Sequence, residues 1–406
     1  MNHPDIKHAR RHGDPYKCKK STEHVYGGAT DETRAEFYEY LFKCAAEFDP
    51  EPPKYNLYCG EMHGHTNLSD GLCDIDTYFT RLRDVAKLDF AAIADHDHGG
   101  PSHPELWVGG ENSKWEQIKA KVREYYEPHR FTTLLAYERD SWPFYGNAVI
   151  YYKCHDGEMF RGETDGMLRA HELSAMLERD DIIVVPHDSY SFECGTDFAH
   201  LPMELMPSHM ELYSRGDAAE YLGNPAFTRD TACDGCFWQD ALKRGAKMAC
   251  IGSSDSHSAK DTGGTLDLRN EYPNKHSGVT GVWAEDNTAE AIFDAIKKRR
   301  CYCFMCGDPT LEHKGRIEID FRINGHYMGE EFSRDGEYLT VFYDIKADEP
   351  IKWVTLVKNC RDYIKLKKNR KSIIDYHQEQ DTDHYYLRVE LADGRFGWSS
   401  PIWVNK

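Results

Sequence analysis

An α/β domain with parallel strands, followed by a smaller antiparallel β domain, is what the residue pattern of this chain predicts. Short apolar runs alternate with amphipathic helical segments between about residues 55 and 305. After about residue 308 the helical spacing stops and alternating β-branched and aromatic runs take over. Histidines and carboxylates stand at the ends of successive apolar runs, as they do when barrel strands deliver side chains to one face.

Each element has its own signal. Tyr55–Glu61 reads as the first strand. Asp74–Lys87 is amphipathic through Ile75, Tyr78, Phe79, Leu82 and Val85, and Asp89–Ala94 follows as a short buried strand. Asn112–Glu127 carries Trp115, Ile118, Val122 and Tyr125 ahead of the strand Phe131–Tyr137. Arg169–Arg179 leads to Ile182–Pro186, and Phe237–Arg244, stopped by Gly245, leads to Lys247–Gly252. Asn287–Arg300 opens with a capping-box pattern, Asn287 to Glu290. The long stretch Ser189–Asp230 has few periodic features beyond the strand-like Met210–Ser214. Loops of that length are usually functional, so it is expected to wall the site. Cys301–Cys306 reads as a strand at a domain edge.

Residues 1–54 form an extension with one helix, Glu32–Phe48, whose Phe37, Tyr40, Leu41, Cys44 and Ala45 share a helical face. Pro50, Pro52 and Pro53 end it. It suits packing on residues 55–307 or on a partner subunit, with a substrate lid as the lesser alternative, which leaves a homo-oligomer open. In residues 308–406, the runs Arg316–Asn324, Glu337–Lys346, Ile351–Lys358 and His384–Ala392 are separated by turn signals at Asn324-Gly325, Asp335-Gly336 and Asp393-Gly394. This reads as a small antiparallel β-sandwich-like domain that supplies no metal ligand, His313 and His326 included. The basic run Lys365–Lys371 reads as a solvated loop, with an anion patch as the alternative.

The 406-residue chain has a formal net charge of −19, which disfavours nucleic acid and anionic membranes as partners. It does not exclude an anionic substrate, because bound cations reverse the local field. The N-terminal residues are polar and basic without an apolar leader, so a cytoplasmic location is expected. Thirteen cysteines, mostly inside apolar segments, suit buried free thiols in a reducing compartment. Cys233-x-x-Cys236 and Cys301-x-Cys303-x-x-Cys306 lack the regular spacing of a structural zinc site, and packing is the favoured reading. No GxxxxGK[ST] loop is present.

The chemistry lies in five motifs. His63-Gly64-His65, with Asp70 close behind, follows the first strand, and Asp95-His96-Asp97-His98 follows the second. Glu138, His187 and Asp255-Ser256-His257 follow the next three. Imidazole suits zinc, iron and related ions, while carboxylates suit harder ions and can bridge two. His63 and His65 alternate, as do Asp255 and His257, so each pair faces one side. Such a set exceeds what one tetrahedral ion needs, so two or three divalent ions (Zn, Mn or Fe) are expected. With 21 histidines in the chain, a single HxH is weak evidence, whereas the ordered set is strong.

The stretches HGHTNLSDG, ADHDH, Glu138 with its strand, VVPHDS and GSSDSH resemble the successive metal motifs of the PHP (polymerase and histidinol phosphatase) superfamily. AIFDAIKKRRCYCFMCGDP, IDFRINGHYMG and YYLRVELADGRFGWSSPIWV resemble a branch of it with a C-terminal β domain ending in a WSSPIW-like sequence. The resemblance covers about residues 55–406. It implies a distorted (β/α)7 barrel, up to three divalent ions and hydrolysis, most often of phosphoesters. The ligands it implies are His63, His65, Asp70, His96, Glu138, His187, Asp255 and His257. Relatives often carry a His after a Gly in the strand following the Glu. Here the stretch is Tyr145-Gly146-Asn147-Ala148-Val149, with His155 as the candidate substitute.

The expected activity is phosphomonoester or phosphodiester hydrolysis on a small-molecule or glycan-linked substrate. Two adjacent divalent ions lower the pKa of a shared water towards about 7, and the resulting hydroxide attacks phosphorus. Asp255 is the candidate to orient it and His98 the candidate acid. Arg139 and Arg215 are candidate phosphate clamps, with structural ion pairs as the default alternative. The same ligands would serve hydrolysis of an amide, lactone or sulfate ester. A non-catalytic binding protein on the same scaffold is the third reading.

Overall fold

The computed structural model describes residues 51–97, 113–139, 146–160, 170–191, 195–229, 232–258, 276–307 and 315–406. The expected helix Glu32–Phe48, together with His98 and His313, lies outside these residues. What is described is mixed α/β and rich in sheet. Among the described residues no helix is long and apolar enough to cross a membrane.

The strands β1 (Asn56–Glu61), β2 (Phe90–Ala92) and β3 (Thr132–Arg139) run parallel and adjacent. Helix α1 (Ile75–Thr80) links the first two; Asp74 caps it by accepting from Thr77 N at 2.7 Å. It continues as a single π turn, Arg81–Val85. Helix α2 (Lys114–Tyr125) precedes β3, capped by Ser113 and burying Trp115, Ile118 and Val122.

Beyond β3 the parallel pattern breaks. β4 (Ala148–Tyr152) returns antiparallel to β3, and β5 (Ile182–Pro186) antiparallel to β4. The β3–β4 connection, residues 140–147, is too short for the dozen or so residues of a parallel crossover. Helix α3 (Ala170–Leu177) precedes β5. Within the stretch of few periodic features, the strand-like Met210–Ser214 is β6 (His209–Ser214), and a short β7 (Asp217–Ala218) pairs with it. Helix α4 (Trp238–Lys243) leads to β8 (Ala249–Gly252), parallel to β6. β9 (Gly278–Ala284) lies antiparallel to β1. Thr280 Oγ1 donates to Gly252 O at 2.7 Å and accepts from Gly252 N at 3.0 Å, tying β9 to β8.

Helix α5 (Ala289–Lys297) starts later than the sequence pattern indicates. Its cap is Thr288, which accepts from Ala291 N; Asn287 instead donates its amide to Asp89 O at 2.9 Å. The long-range bond outcompetes the local capping box. β10 (Cys301–Met305) pairs with β9 on one side and with a C-terminal strand on the other.

That partner belongs to a run of ten strands, which starts with β11 (Ile317–Ile323), β12 (His326–Tyr327), β13 (Glu331–Ser333) and β14 (Leu339–Ala347). It continues through β15 (Ile351–Lys358), β16 (Arg361–Leu366) and β17 (Arg370–Asp375) to β18 (Thr382–Leu391), β19 (Phe396–Ser399) and β20 (Ile402–Asn405). One sheet of four strands has the order β12-β11-β14-β17, all antiparallel. Its β11–β12 hairpin turns on Asn324-Gly325, with φ of 51° and 85°. The other strands join the first sheet through β10–β19, with Cys303 opposite Trp398. Of the basic run, Lys365 and Lys367 both lie 4.9 Å from the Trp353 ring.

The sheet is apolar on both faces, as sheets covered on both sides are. Phe90, Ala92, Leu134, Ala136, Val149, Tyr151, Ile183 and Val185 form one cluster with Ile292, Phe293 and Ile296 of α5. His209 is wholly buried; its Nε2 lies 2.7 Å from Ile296 O, and Nδ1 lies 2.9 Å from Ser208 Oγ. Burial, reinforced by Arg299 and Lys297, pushes its pKa down to about 3. In the unfolded chain it protonates near about 6.5. The stability contributed is therefore complete above that value and drains as pH falls from about 6.5 towards about 3. In urea unfolding at about pH 7 and about pH 5, His209→Gln is expected to lose about 2 kcal/mol less than the parent chain over the interval. Equal losses would place the acid sensitivity elsewhere.

Candidate metal centre

The chain leaves β1 through Met62-His63-Gly64-His65, and both imidazoles are wholly buried. Their Nε2 atoms approach to 3.1 Å, so both rings turn to one centre. Gly64 is required there, since a Cβ would come within 2.3 Å of the Tyr78 hydroxyl. Buried Asp95 accepts from Thr66 N at 2.7 Å, Thr66 Oγ1 at 2.6 Å and Ser69 Oγ at 2.5 Å, shaping the loop that carries Asp70. Glu138 lies near the end of β3, on the same face as Leu134 and Ala136, where the apolar ladder turns polar.

All the expected metal residues meet. His65, Asp70, His96 and His257 form one group, and His63, Glu138 and His187 a second. His63, His65 and Asp255 form a third, and His187, Asp188 and Asp255 a fourth. Within each group one ligand atom per residue lies within 4.8 Å of the others. Asp70 lies 3.1 Å from His257 Nε2 and 3.7 Å from both His96 Nε2 and His65 Nδ1. Glu138 Oε2 is 3.2 Å from His96 Nδ1, 3.3 Å from His63 Nε2 and 3.4 Å from His65 Nε2; its other oxygen meets His187 Nε2. Asp255 Oδ1 is 3.0 Å from His65 Nε2.

So many donors in one dry place perturb one another. Burial would raise the Glu138 carboxyl, but the surrounding His96, His187 and His63 hold it well below the usual range. Asp255 is likewise held low against burial, by His63, Arg215 and His65. Burial and the neighbouring His257 and His96 push His65 down to about 3. Among the described residues, His65 Nδ1, His187 Nδ1 and Asp255 Oδ2 are buried and have no hydrogen-bond partner. Buried polar atoms are normally paired. Unsatisfied imidazole and carboxylate lone pairs converging this way fit divalent cations.

Sequence reasoning missed several participants. Glu211, in the middle of β6, lies 3.0 Å from His63 Nδ1 through Oε2, which leaves Nε2 to face the centre. Glu61 accepts from His63 N at 3.1 Å and Ser254 N at 2.9 Å, and burial raises its pKa to about 8. A lone acid in a buried apolar strand was the available signal for both. Asp188 joins the fourth group, its Oδ1 accepting from Tyr190 OH at 2.9 Å.

Arg139 is not beside the cluster in the way its neighbour Glu138 suggests. Consecutive strand residues point to opposite faces. Arg139 is wholly buried and pairs with Asp97. Arg215 does reach the rim: a third exposed, it places Nη1 3.7 Å from Asp255 Oδ2 and 3.8 Å from Asp188 Oδ2. Asp188, Arg215 and Asp255 all have left-handed backbones, φ 43°, 46° and 50°, a strain that concentrates at functional sites. Asn147 donates to Glu138 Oε1 at 3.1 Å. His155 does not substitute for it, because its Nε2 lies 2.9 Å from Thr133 O at the opposite end of β3. His326 lies 3.0 Å from Glu330 Oε2 and stacks on Phe332; among the described residues the metal-holding groups draw nothing from residues 315–406.

A family model for proteins of unknown function (DUF3604) matches residues 244–307. An uncharacterised protein of Chlamydia pneumoniae is 23% identical over 407 residues, covering 92% of this chain and 60% of the relative. One of Chlamydia muridarum is 22% identical over 408 residues, with shares of 92% and 60%. The chain thus spans about 60% of the length of these curated relatives. Among solved structures, a two-domain protein of Bacteroides vulgatus containing a predicted PHP-like metal-dependent phosphoesterase is similar at a TM-score of 0.40 and 15% identity, over 89% of this chain and 100% of that one.

His65 belongs to two of the four groups. Elemental analysis of the purified chain is expected to find at least two divalent ions per molecule, and His65→Ala to lose at least one while circular dichroism stays unchanged. Full metal content in a folded His65→Ala protein would refute the assignment.

Proposed function

We propose that this chain is a metal-dependent phosphoesterase of the PHP kind, acting on a small-molecule or glycan-linked phosphomonoester or phosphodiester. The observation that carries the reading is the convergence of buried, partly unsatisfied imidazoles and carboxylates beside the rim guanidinium of Arg215. On this reading β1–β10 are a distorted barrel of the PHP type and residues 308–406 a sandwich-like domain beside it. His65, Asp70, His96 and His257 would hold one divalent ion and His63, Glu138 and His187 another, with Asp255 between them. Zinc, manganese and iron all suit this mixture.

When bound, such ions lower the pKa of an attacking water and offset charge on the phosphoryl oxygens. The side chains do the rest. Asp255 orients the attacking water and accepts its proton, as a carboxylate held ionised by His63 and Arg215 can. Arg215 offers its planar fork to a non-bridging phosphoryl oxygen, held near the cluster by the charges of Asp188 and Asp255. Glu211 keeps His63 in one tautomer.

Phosphoester hydrolysis that stops with chelator and returns with manganese, zinc or iron is the expected behaviour. Asp255→Asn is expected to lower kcat by about a hundredfold or more while KM moves less, since the lost contact belongs mainly to the transition state. Arg215→Ala is expected to cost about tenfold to a hundredfold in kcat/KM, the worth of a charge-assisted hydrogen bond. A metal-replete sample that ignores every phosphoester in a broad panel, yet cleaves an amide, lactone or sulfate ester, would replace the electrophile and keep the ligands.

A further inference from the structure

The WSSPIW sequence has no part in the chemistry above, yet it touches both segments that carry rim residues. Trp398 is wholly buried and donates its indole N–H to Glu220 Oε2 at 2.8 Å. Its carbonyl accepts from the Cys250 thiol at 3.3 Å, and Ser400 Oγ accepts from Cys250 N at 3.2 Å. Cys250 lies on β8, the strand that runs on to Asp255.

Glu220 stands just beyond β7, which pairs with β6 across the turn Arg215-Gly216. Its carboxylate is wholly buried. It receives Arg388 through Nε and Nη2, each at 2.8 Å, and Tyr386 OH at 2.6 Å. Gln239 of α4 donates its side-chain amide to Tyr386 OH at 2.7 Å and its main-chain N–H to Glu220 O at 3.0 Å. Ala219 N donates to Leu212 O at 2.6 Å. The hairpin is thus fastened at its foot.

A fastening is needed there. Arg215 and Gly216 have φ of 46° and 81°, a two-residue hairpin turn that ordinarily takes Asn-Gly. A long cationic side chain at the first position lacks local preference for that backbone. A buried carboxylate costs stability unless paired and hydrogen-bonded, and here its three side-chain partners, Tyr386, Arg388 and Trp398, come from β18 and β19.

We propose that Trp398, Arg388 and Tyr386 are positioning residues, which act through Glu220 to hold the Arg215 hairpin against the metal-binding cluster, so that the C-terminal strands complete the anion-binding side of the site. The inference rests on the phosphoester reading only for the identity of the anion.

The test uses the full metal-loaded chain with inorganic phosphate as the probe. Trp398→Phe and Tyr386→Phe each remove one donor to Glu220 and leave its pair with Arg388. Calorimetry is expected to show phosphate binding weakened about three- to tenfold in either variant, with metal content unchanged, from the loss of one hydrogen bond. In an Arg215→Ala background the same changes are expected to add nothing, because coupled residues are not additive. Amide exchange of residues 212–221 is expected to quicken. Equal weakening in both backgrounds, or unchanged affinity and exchange, would overturn the proposal. If the parent chain binds no phosphate, the phosphoester reading fails, and exchange alone decides: faster exchange at 212–221 supports the fastening and unchanged exchange overturns it. Tyr386→Phe carries the test if Trp398→Phe does not fold.

Discussion

Just beyond β1 and β8 the chain exchanges main-chain hydrogen bonds with itself: His65 N donates to Ser256 O at 2.8 Å, and Asp255 N to His63 O at 3.0 Å. The distances among His63, His65, Asp255 and His257 rest on these two contacts. They put His63 and His65 opposite Asp255 and His257 before any side chain interacts. Glu61 adds a carboxylate clip beneath them, bound to His63 N and Ser254 N. Asp95 shapes the next loop in the same way. The ligands are thus held by backbone and by buried acids that do not themselves belong to the metal-holding groups, as sites that must keep geometry without their ions require.

Much of the centre was legible because its signal is local. A His or carboxylate just past an apolar run needs only strand periodicity to be placed, and His63, His65, Asp70, His96, Glu138, His187, Asp255 and His257 all converge. What was not legible depends on partners distant in sequence. Glu211 looks like any acid until β6 is set beside His63. Arg139 shares a strand with Glu138 but not a face. The parallel pattern fails at β4 because the β3–β4 connection is too short for a crossover, whatever the strand composition. Asn287 obeys a helix-start rule on paper and bonds across the fold instead.

The candidate centre and the scaffold that holds it rest on different parts of the chain. Among the described residues, His65 Nδ1, His187 Nδ1 and Asp255 Oδ2 are buried without a hydrogen-bond partner. Cations that fill such a space release protons and add their binding energy to the folded state. The scaffold around it is held by other means: ladders apolar on both faces, and helix α5 packed over one of them.

β10 is the strand on which the two halves of the chain meet, paired with β9 on one side and β19 on the other. During synthesis its second edge stays bare until Phe396–Ser399 has been made. An unpaired strand rich in buried Cys, Tyr and Phe is a template for pairing with another chain. Until β19 is in place, that edge is open to pairing with a neighbouring chain, so order of formation decides whether β10 finds its own partner.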